Sequence, residues 1–270
     1  MVKKVIHLAD IHIRTYRQHD EYKEVFRTLI AQLTELVKDF KREEVRIVIA
    51  GDLVHQKIII SNEQLMLGTW FLMKLEEKAP VILIAGNHDL LENNKDRMDS
   101  ITPMVQFLPH ANINYFKESK CYLDDNIVWC VYSIFEGNKE PDIAAAKIEF
   151  GTDKTYIGLF HAPIINAKTD INYSIDHGVE LEIFEGCDMV MLGDIHKRQT
   201  FNHKGILIAY PSSLIQQNFG ENVSNHGFLL WDVETKTFEE HNVANRFSFY
   251  QFKVKSVEDI ENNNEVITNL

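Results

Sequence analysis

Five times along this chain a short apolar run ends on aspartate, asparagine or histidine. The runs are residues 5–9, 47–50, 81–85, 156–160 and 189–192. They deliver Asp10-Ile11-His12, Gly51-Asp52-Leu53-Val54-His55, Gly86-Asn87-His88-Asp89, His161, and Gly193-Asp194-Ile195-His196. Apolar runs of this length, bounded by Gly or Asp, read as buried strands. Polar residues at the carboxyl ends of adjacent buried strands meet in space however far apart they lie in sequence. The pattern therefore restricts the chain to an α/β architecture with one polar centre where several strands finish.

Each block alone has an ordinary explanation. Asp-x-His serves as a turn or helix cap, and Gly-Asp closes many turns. A single histidine is commonly a hydrogen-bonded core residue. Gly-Asn-His-Asp also makes a turn, but consecutive polar residues after a buried strand need partners. The recurrence of such blocks after apolar strands argues for a metal site instead. Asp, Asn and His without cysteine form a hard-to-borderline donor set, suited to Mn, Mg, Fe or Zn. Asp52 is the expected bridge, because its two oxygens can hold two cations. Phosphate esters hydrolyse slowly enough in water that catalysis needs a nucleophile formed at neutral pH and charge neutralisation, and an ion pair supplies both.

On these residues the chain resembles the calcineurin-like metallophosphoesterases. Within them it is similar to the DNA-repair nuclease branch of SbcD, the Mre-type nucleases and the phage recombination endonuclease subunit. Gly51-Asp52-Leu53-Val54-His55, His196-Lys197-Arg198, Tyr210-Pro211-Ser212-Ser213 and Phe219-Gly220-Glu221 support the branch, over about residues 1–245. The resemblance implies a four-layer αββα sandwich, two mixed sheets flanked by helices. It implies one ion on Asp10, His12, Asp52 and His196, and a second on Asp52, Asn87, His161 and Asp194. His88 would assist the leaving oxygen, His55 would touch the scissile phosphate and Asp89 would orient His88. The nuclease relatives carry histidine where this chain has Asp194. Three carboxylates on two ions favour Mn, or Mg, over metals of softer sites.

The implied activity is Mn-dependent DNA hydrolysis, exo- or endonucleolytic, by the nuclease subunit of an SbcCD-like complex. A phosphomonoesterase or cyclic-nucleotide phosphodiesterase is the first alternative, and a catalytically weak scaffold the second. The formal net charge of −12 argues against a generally basic nucleic-acid clamp. It leaves room for DNA as substrate, because bound ions and a local basic rim can serve the site. Arg14, Arg17, Lys197 and Arg198 are the candidate DNA contacts. No apolar run approaches the roughly 20 residues that span a bilayer, and no signal peptide is visible. The expected location is thus cytoplasmic, in a bacterium or a phage-infected host.

Other segments carry further expectations. Residues 20–41 and 62–78 read as helices, the second capped by Ser61 with Gln64 closing a capping box. The second is apolar on more than one face, which suggests burial on two sides. Branch relatives dimerise through helices at this place, so a homodimer through 62–78, with a short helix at 101–108, is expected. A helix is expected from Asp142 to Phe150. If Asp125-Asn126 is a two-residue turn, Cys121 and Cys130 fall opposite each other. They could be bridged in an oxidising setting, but in a reducing cytosol free packed thiols are expected. The loop 162–180 is a groove wall or lid beside the site. Residues 206–210, 227–233 and 237–243 read as the second sheet, Phe219 as a core aromatic, and 247–257 as one more strand. Residues 1–245 form one domain. Residues 246–270 read as the start of a capping region, missing or shortened, through which relatives continue to a segment binding an SMC-like coiled-coil ATPase.

Overall fold

The computed structural model describes residues 1–106, 108, 112–250 and 254–262. In chain order the elements are β1 (Lys4–Leu8), α1 (His19–Leu36), β2 (Val45–Ala50), α2 (Asn62–Glu76), β3 (Val81–Ile84), α3 (Thr102–Val105) and β4 (Ile113–Tyr115). There follow β5 (Cys121–Asp124), β6 (Ile127–Tyr132), α4 (Ile143–Phe150), β7 (Thr155–His161), β8 (Met189–Gly193), β9 (Gln199–His203) and β10 (Ile206–Tyr210). The chain closes with β11 (Gly227–Asp232), β12 (Thr237–Asn242) and α5 (Val257–Asn262).

The strands form two mixed six-stranded sheets, ordered β12-β11-β1-β2-β3-β4 and β5-β6-β7-β8-β10-β9. The centre of each is parallel, β1 to β4 in one and β6-β7-β8-β10 in the other, with antiparallel strands at the margins. Side chains of successive strand residues point to opposite faces, and the hydrophobic alternation sorts them into three layers. Ile47, Ile49, Val81 and Leu83 face outward and pack with Phe26, Leu29, Phe71 and Leu72 of α1 and α2. Val48, Ile82, Trp129, Ile157, Leu159, Met189, Met191 and Trp231 fill the space between the sheets. Tyr156, Phe160, Val190 and Leu192 pack outward under Ile143 and Ala146 of α4. Helix, sheet, sheet, helix is the αββα order that the resemblance implies.

Several expectations need correction. β10 joins the second sheet, but β11 and β12 cross over to extend the first, where β11 pairs antiparallel with β1. Strand pattern alone gives a strand two faces to bury and does not say which sheet edge it meets. α1 stops at Leu36 and a turn covers 37–40, where the Phe40 N–H donates to the Val37 carbonyl. Ser61 caps α2 by accepting from the Gln64 N–H at 3.1 Å, but the Gln64 side chain donates to the Ile13 carbonyl instead of closing a capping box. Asp142 is the cap of α4, accepting from the Ala145 N–H at 2.8 Å. The short helix covers only Thr102–Val105; part of the expected 101–108 span lies outside the described residues. No strand forms at 247–250 or 254–256; residues 251–253 of the expected strand lie outside the described residues, as do 263–270 of the proposed capping region.

Candidate metal centre

All the metal-ligand candidates sit at the carboxyl ends of β1, β2, β3, β7 and β8, on the seam between the two sheets. The first sheet supplies Asp10, His12, Asp52, His55, Asn87 and His88; the second supplies His161, Asp194 and His196. Beyond the strand ends, the loops after β1 and β2 stay paired. The Asp10 N–H donates to the Gly51 carbonyl at 3.1 Å and the His12 N–H to the Asp52 carbonyl at 2.9 Å. Left-handed backbone at Asp10, His12 and Asp52 (φ 53°, 53° and 55°) and at Asp194 (φ 101°) turns these residues off their strands. Such conformations cost about 1–3 kcal/mol each in a non-glycine residue and persist where surrounding structure fixes them. Glycines make the close approach possible: a Cβ on Gly86 would stand 2.2 Å from Asp52 Oδ1 and 2.5 Å from His161 Nε2.

Asp52 lies at the middle, 2% exposed. Its Oδ2 is 3.4 Å from His12 Nε2, and its Oδ1 is 3.4 Å from His161 Nε2. On the first side, His12 Nε2 and His196 Nε2 are 2.9 Å apart, and Asp10 groups with both of them. On the other side, His161 Nε2 is 3.3 Å from Asn87 Oδ1 and 3.9 Å from Asp194 Oδ1. Asp10 also groups with Asp52 and His161, donor atoms lying within 4.8 Å of one another. The structure thus brings the other six proposed ligands together around the Asp52 carboxylate.

The donor chemistry fits divalent ions. Two donors about 2.1 Å from one ion and at right angles stand about 3 Å apart, the spacing seen between His12 and His196. The Nδ1–H of His161 donates to the Ala50 carbonyl at 2.7 Å, and that of His196 to Glu221 Oε1 at 2.7 Å. Each bond commits Nδ1 and turns Nε2 toward the site, where a cation would take the place of any Nε2 proton. Burial lifts the Asp10 carboxyl to about 7 against the pull of His196 and His161. It lifts Asp194 too. Burial likewise opposes ionisation of Asp52, yet the neighbouring His161 and His12 outweigh it and hold that carboxyl below its usual range. Buried carboxylates this close to each other are stable as anions only beside cations.

The remaining candidates fall into distinct places. His55 and His88 form a half-buried rim with His12, ring centroids 4.8–5.3 Å apart. His88 Nδ1–H donates to the His55 carbonyl at 2.6 Å, so it is this carbonyl that orients the ring. Asp89 does not reach the His88 ring among the described residues. Its fully buried carboxylate accepts from the N–H groups of Gly86 (2.9 Å), Val54 (3.0 Å) and Leu53 (3.3 Å), tying the loop after β3 to the loop after β2. Arg198 is not a free cation. Its guanidinium donates to the Pro211 and His241 carbonyls, Asn242 and Glu240, with the side chain 8% exposed. Arg14 donates to Gln217, and its buried Nε has no partner among the described residues. Arg17 lies over the exposed Tyr16 ring. Lys197 holds Asn172 at 2.8 Å.

Beside the ligands runs a cleft of about 340 Å³ with Asp194 and His196 in its floor. Asp170, Ile171 and Tyr173 of the 162–180 loop form one wall, and Asn218 and Glu221 the other. Phe219 is 63% exposed beside this wall and is not a core aromatic. Glu221 is the site residue that sequence spacing did not assign. Besides His196 it accepts from the Gln217 N–H at 2.8 Å and from Asn218 at 2.7 Å. Only its place in a Gly-flanked motif signalled it.

The sequence model of the calcineurin-like phosphoesterase family matches residues 3–198, which includes every proposed ligand. The chain is 38% identical over 267 residues to the uncharacterized protein R555 of Acanthamoeba polyphaga mimivirus, covering 96% of this chain and 19% of that protein. It is 24% identical over 263 residues to the SbcD component of the nuclease SbcCD of Staphylococcus epidermidis, covering 86% of this chain and 66% of that protein. The chain therefore spans a fifth and just under two thirds of these relatives. Among solved structures, the hypothetical protein PH1004 of Pyrococcus horikoshii OT3 aligns with a TM-score of 0.46 at 13% identity, covering 100% of this chain and 95% of that one. With the family pattern running from the first strand to the last of the proposed ligands, the chain belongs to the calcineurin-like phosphoesterase family.

Proposed function

We propose that this phosphoesterase hydrolyses phosphodiester bonds in DNA with two divalent cations, manganese before magnesium, as the nuclease subunit of an SbcCD-like recombination or repair complex. The observation that carries the two-ion part is the posture of Asp52, whose oxygens face separate ligand sets, His12 on one side and His161 on the other. The DNA part is supported by the 24% identity over 263 residues to a protein named as part of a nuclease. One set comprises Asp10, His12, Asp52 and His196; the other comprises Asp52, Asn87, His161 and Asp194. When bound, the ions would supply a nucleophile at neutral pH and neutralise charge on the phosphate.

The chain's own residues do the rest. His88, its Nδ1 proton committed to the His55 carbonyl, leaves Nε2 free for the substrate, and as the imidazolium it would give the Nε2 proton to the leaving oxygen and return to the neutral ring. His55 stands beside it to meet the scissile phosphate. Asp89 acts as a positioning residue through the backbone it grips. Arg14, Arg17 and Lys197 are the candidates for a backbone phosphate. The partners that accompany this reading are DNA, a second copy through α2, and an SMC-like ATPase reached through the region from 246 onward. None of the described helices is long and apolar enough to cross a membrane; a cytoplasmic site of action goes with the DNA substrate.

The test is Mn-dependent digestion of single- and double-stranded DNA by the parent chain and by His88→Gln, with p-nitrophenyl phosphate alongside. The variant is expected to bind Mn normally by calorimetry and to lose about 10²–10⁴-fold in rate. Equal rates would remove the role of His88. Preference for the small monoester would move the reading to a phosphomonoesterase, and higher activity with Zn would overturn the metal order.

A further inference from the structure

The three cysteines of the chain, Cys121, Cys130 and Cys187, gather at one place on the outer face of the second sheet, away from the metal ligands. Cys121 and Cys130 are register partners on antiparallel β5 and β6, with Sγ atoms 3.7 Å apart. The turn between the strands is the two residues Asp125 and Asn126. Counting out from it, the pairs alternate in type, and the Val131 N–H to Lys120 carbonyl bond belongs to the next pair along. Cys121 and Cys130 therefore form a non-hydrogen-bonded pair, the type with Cα atoms only about 4.5 Å apart. That lies within the range a disulfide can span. Cys187 reaches the same spot because Gly158, the partner of Cys130 on β7, has no side chain there: a Cβ on Gly158 would stand 3.3 Å from the Cys187 sulfur.

The two members of the pair differ in access. Cys130 is fully buried, while Cys121 is partly exposed and borders a cleft of about 480 Å³ lined also by Lys120, Lys139 and Phe150. Their ionisation differs in the same sense. The contact between the two sulfurs holds the Cys121 thiol below its usual range and raises that of Cys130. The thiolate of such a pair is the nucleophile in thiol–disulfide exchange.

We propose that Cys121 and Cys130 form a redox-active dithiol site, oxidised reversibly to an intrachain disulfide by low-molecular-weight disulfides of the glutathione class. The Cys121 thiolate attacks one sulfur of the small disulfide, forming a mixed disulfide and releasing one thiolate. Cys130 then attacks the Cys121 sulfur, forming the protein disulfide and expelling the second small thiolate, which takes the Cys130 proton. Two protein thiols and one small disulfide become one protein disulfide and two small thiols. The bond pins the edge strand β5 to β6, and Cys187 remains a packed thiol.

The test treats the native chain with excess oxidised glutathione, then counts free thiols after denaturation and maps linked peptides by mass. The expected result is a fall from three free thiols to one, a Cys121–Cys130 linked peptide, full reversal by dithiothreitol and a melting temperature a few degrees higher. Cys187→Ser should still form the link. Cys121→Ser, a near-isosteric change at a partly exposed position, should keep both remaining thiols. Retention of all three thiols, a mixed disulfide on Cys121 that never resolves, or a link through Cys187 would each overturn the proposal. The outcome does not depend on the nuclease reading, since none of these residues touches the metal ligands.

Discussion

His161 and His196 enter the site with their Nδ1 protons already assigned, one to the Ala50 carbonyl and one to Glu221. The carbonyl only orients its ring, whereas the carboxylate also adds charge. Burial works against the imidazolium at His196, yet the bond to Glu221 leads the influences that lift it to about 9. A carboxylate on the far nitrogen raises the donor strength of the near one. Glu221→Gln preserves an acceptor but removes the charge. It is expected to weaken one of the two proposed Mn sites about 10–100-fold and leave the other unchanged; calorimetric titration of both proteins reads this, and identical isotherms would contradict it. The convergence of the proposed ligands was legible in sequence because each lies at or just past the end of a buried strand. The role of Glu221 was not, since it lies on a loop whose path depends on tertiary packing. Arg198 was misread for the same reason: sequence shows a cation next to a ligand, not the carbonyls of Pro211 and His241 that consume its donors.

Among whole elements, α2 illustrates what periodicity can and cannot tell. Its apolar residues on nearly every side predicted two buried faces. Leu67, Phe71, Leu72 and Leu75 are buried against the first sheet and α1, as expected. The opposite side stays open, with Met66 73% and Met73 46% exposed. Trp70, half-buried, joins Met66 in an apolar cleft of about 400 Å³ between α1 and α2. Exposed apolar patches of this kind commonly mark protein contacts, which is why α2 carries the proposed homodimer. Light scattering at micromolar concentration is expected to give twice the chain mass, and Met66→Glu to give the monomer. A monomeric parent chain would remove the assignment. The strand pattern was legible throughout the parallel centre of both sheets, where strands are continuous apolar runs. It failed for β11 and β12, because alternation identifies a strand without identifying its neighbour.

The molecule as a whole depends on how the two sheets are held face to face. Besides the apolar layer, polar bonds cross between the sheets, His161 to the Ala50 carbonyl and Arg46 to Asp124 among them, and one lies deep at His7. His7, fully buried on β1, donates from Nε2 to the Leu192 carbonyl at 3.0 Å on β8, while Trp231 donates to its Nδ1 at 3.4 Å. Burial drives its pKa down to about 3. The unfolded chain takes up this proton below its ordinary value near 6.5, and the folded chain resists until about 3. Folding stability from this residue is therefore complete above about pH 6.5 and falls as the pH drops toward 3, by up to about 1.4 kcal/mol per unit. Urea unfolding in chelator across that range should show a steeper acid loss for the parent chain than for His7→Gln. Parallel curves would exclude the effect.

Because each proposed ligand set draws on both sheets, the proposed chemistry would double as a gauge of their alignment. A slip of either sheet by a fraction of an ångström would part Asp52 from His161 long before it unfolded anything. Side chains deep in the intersheet layer, such as Trp129 and Trp231, thus bear on catalysis from a distance. Those under the outer helices and away from the strand ends bear mainly on stability. Variation should accordingly be tolerated from the outside inward, with the seam between the sheets the last part of the molecule free to drift.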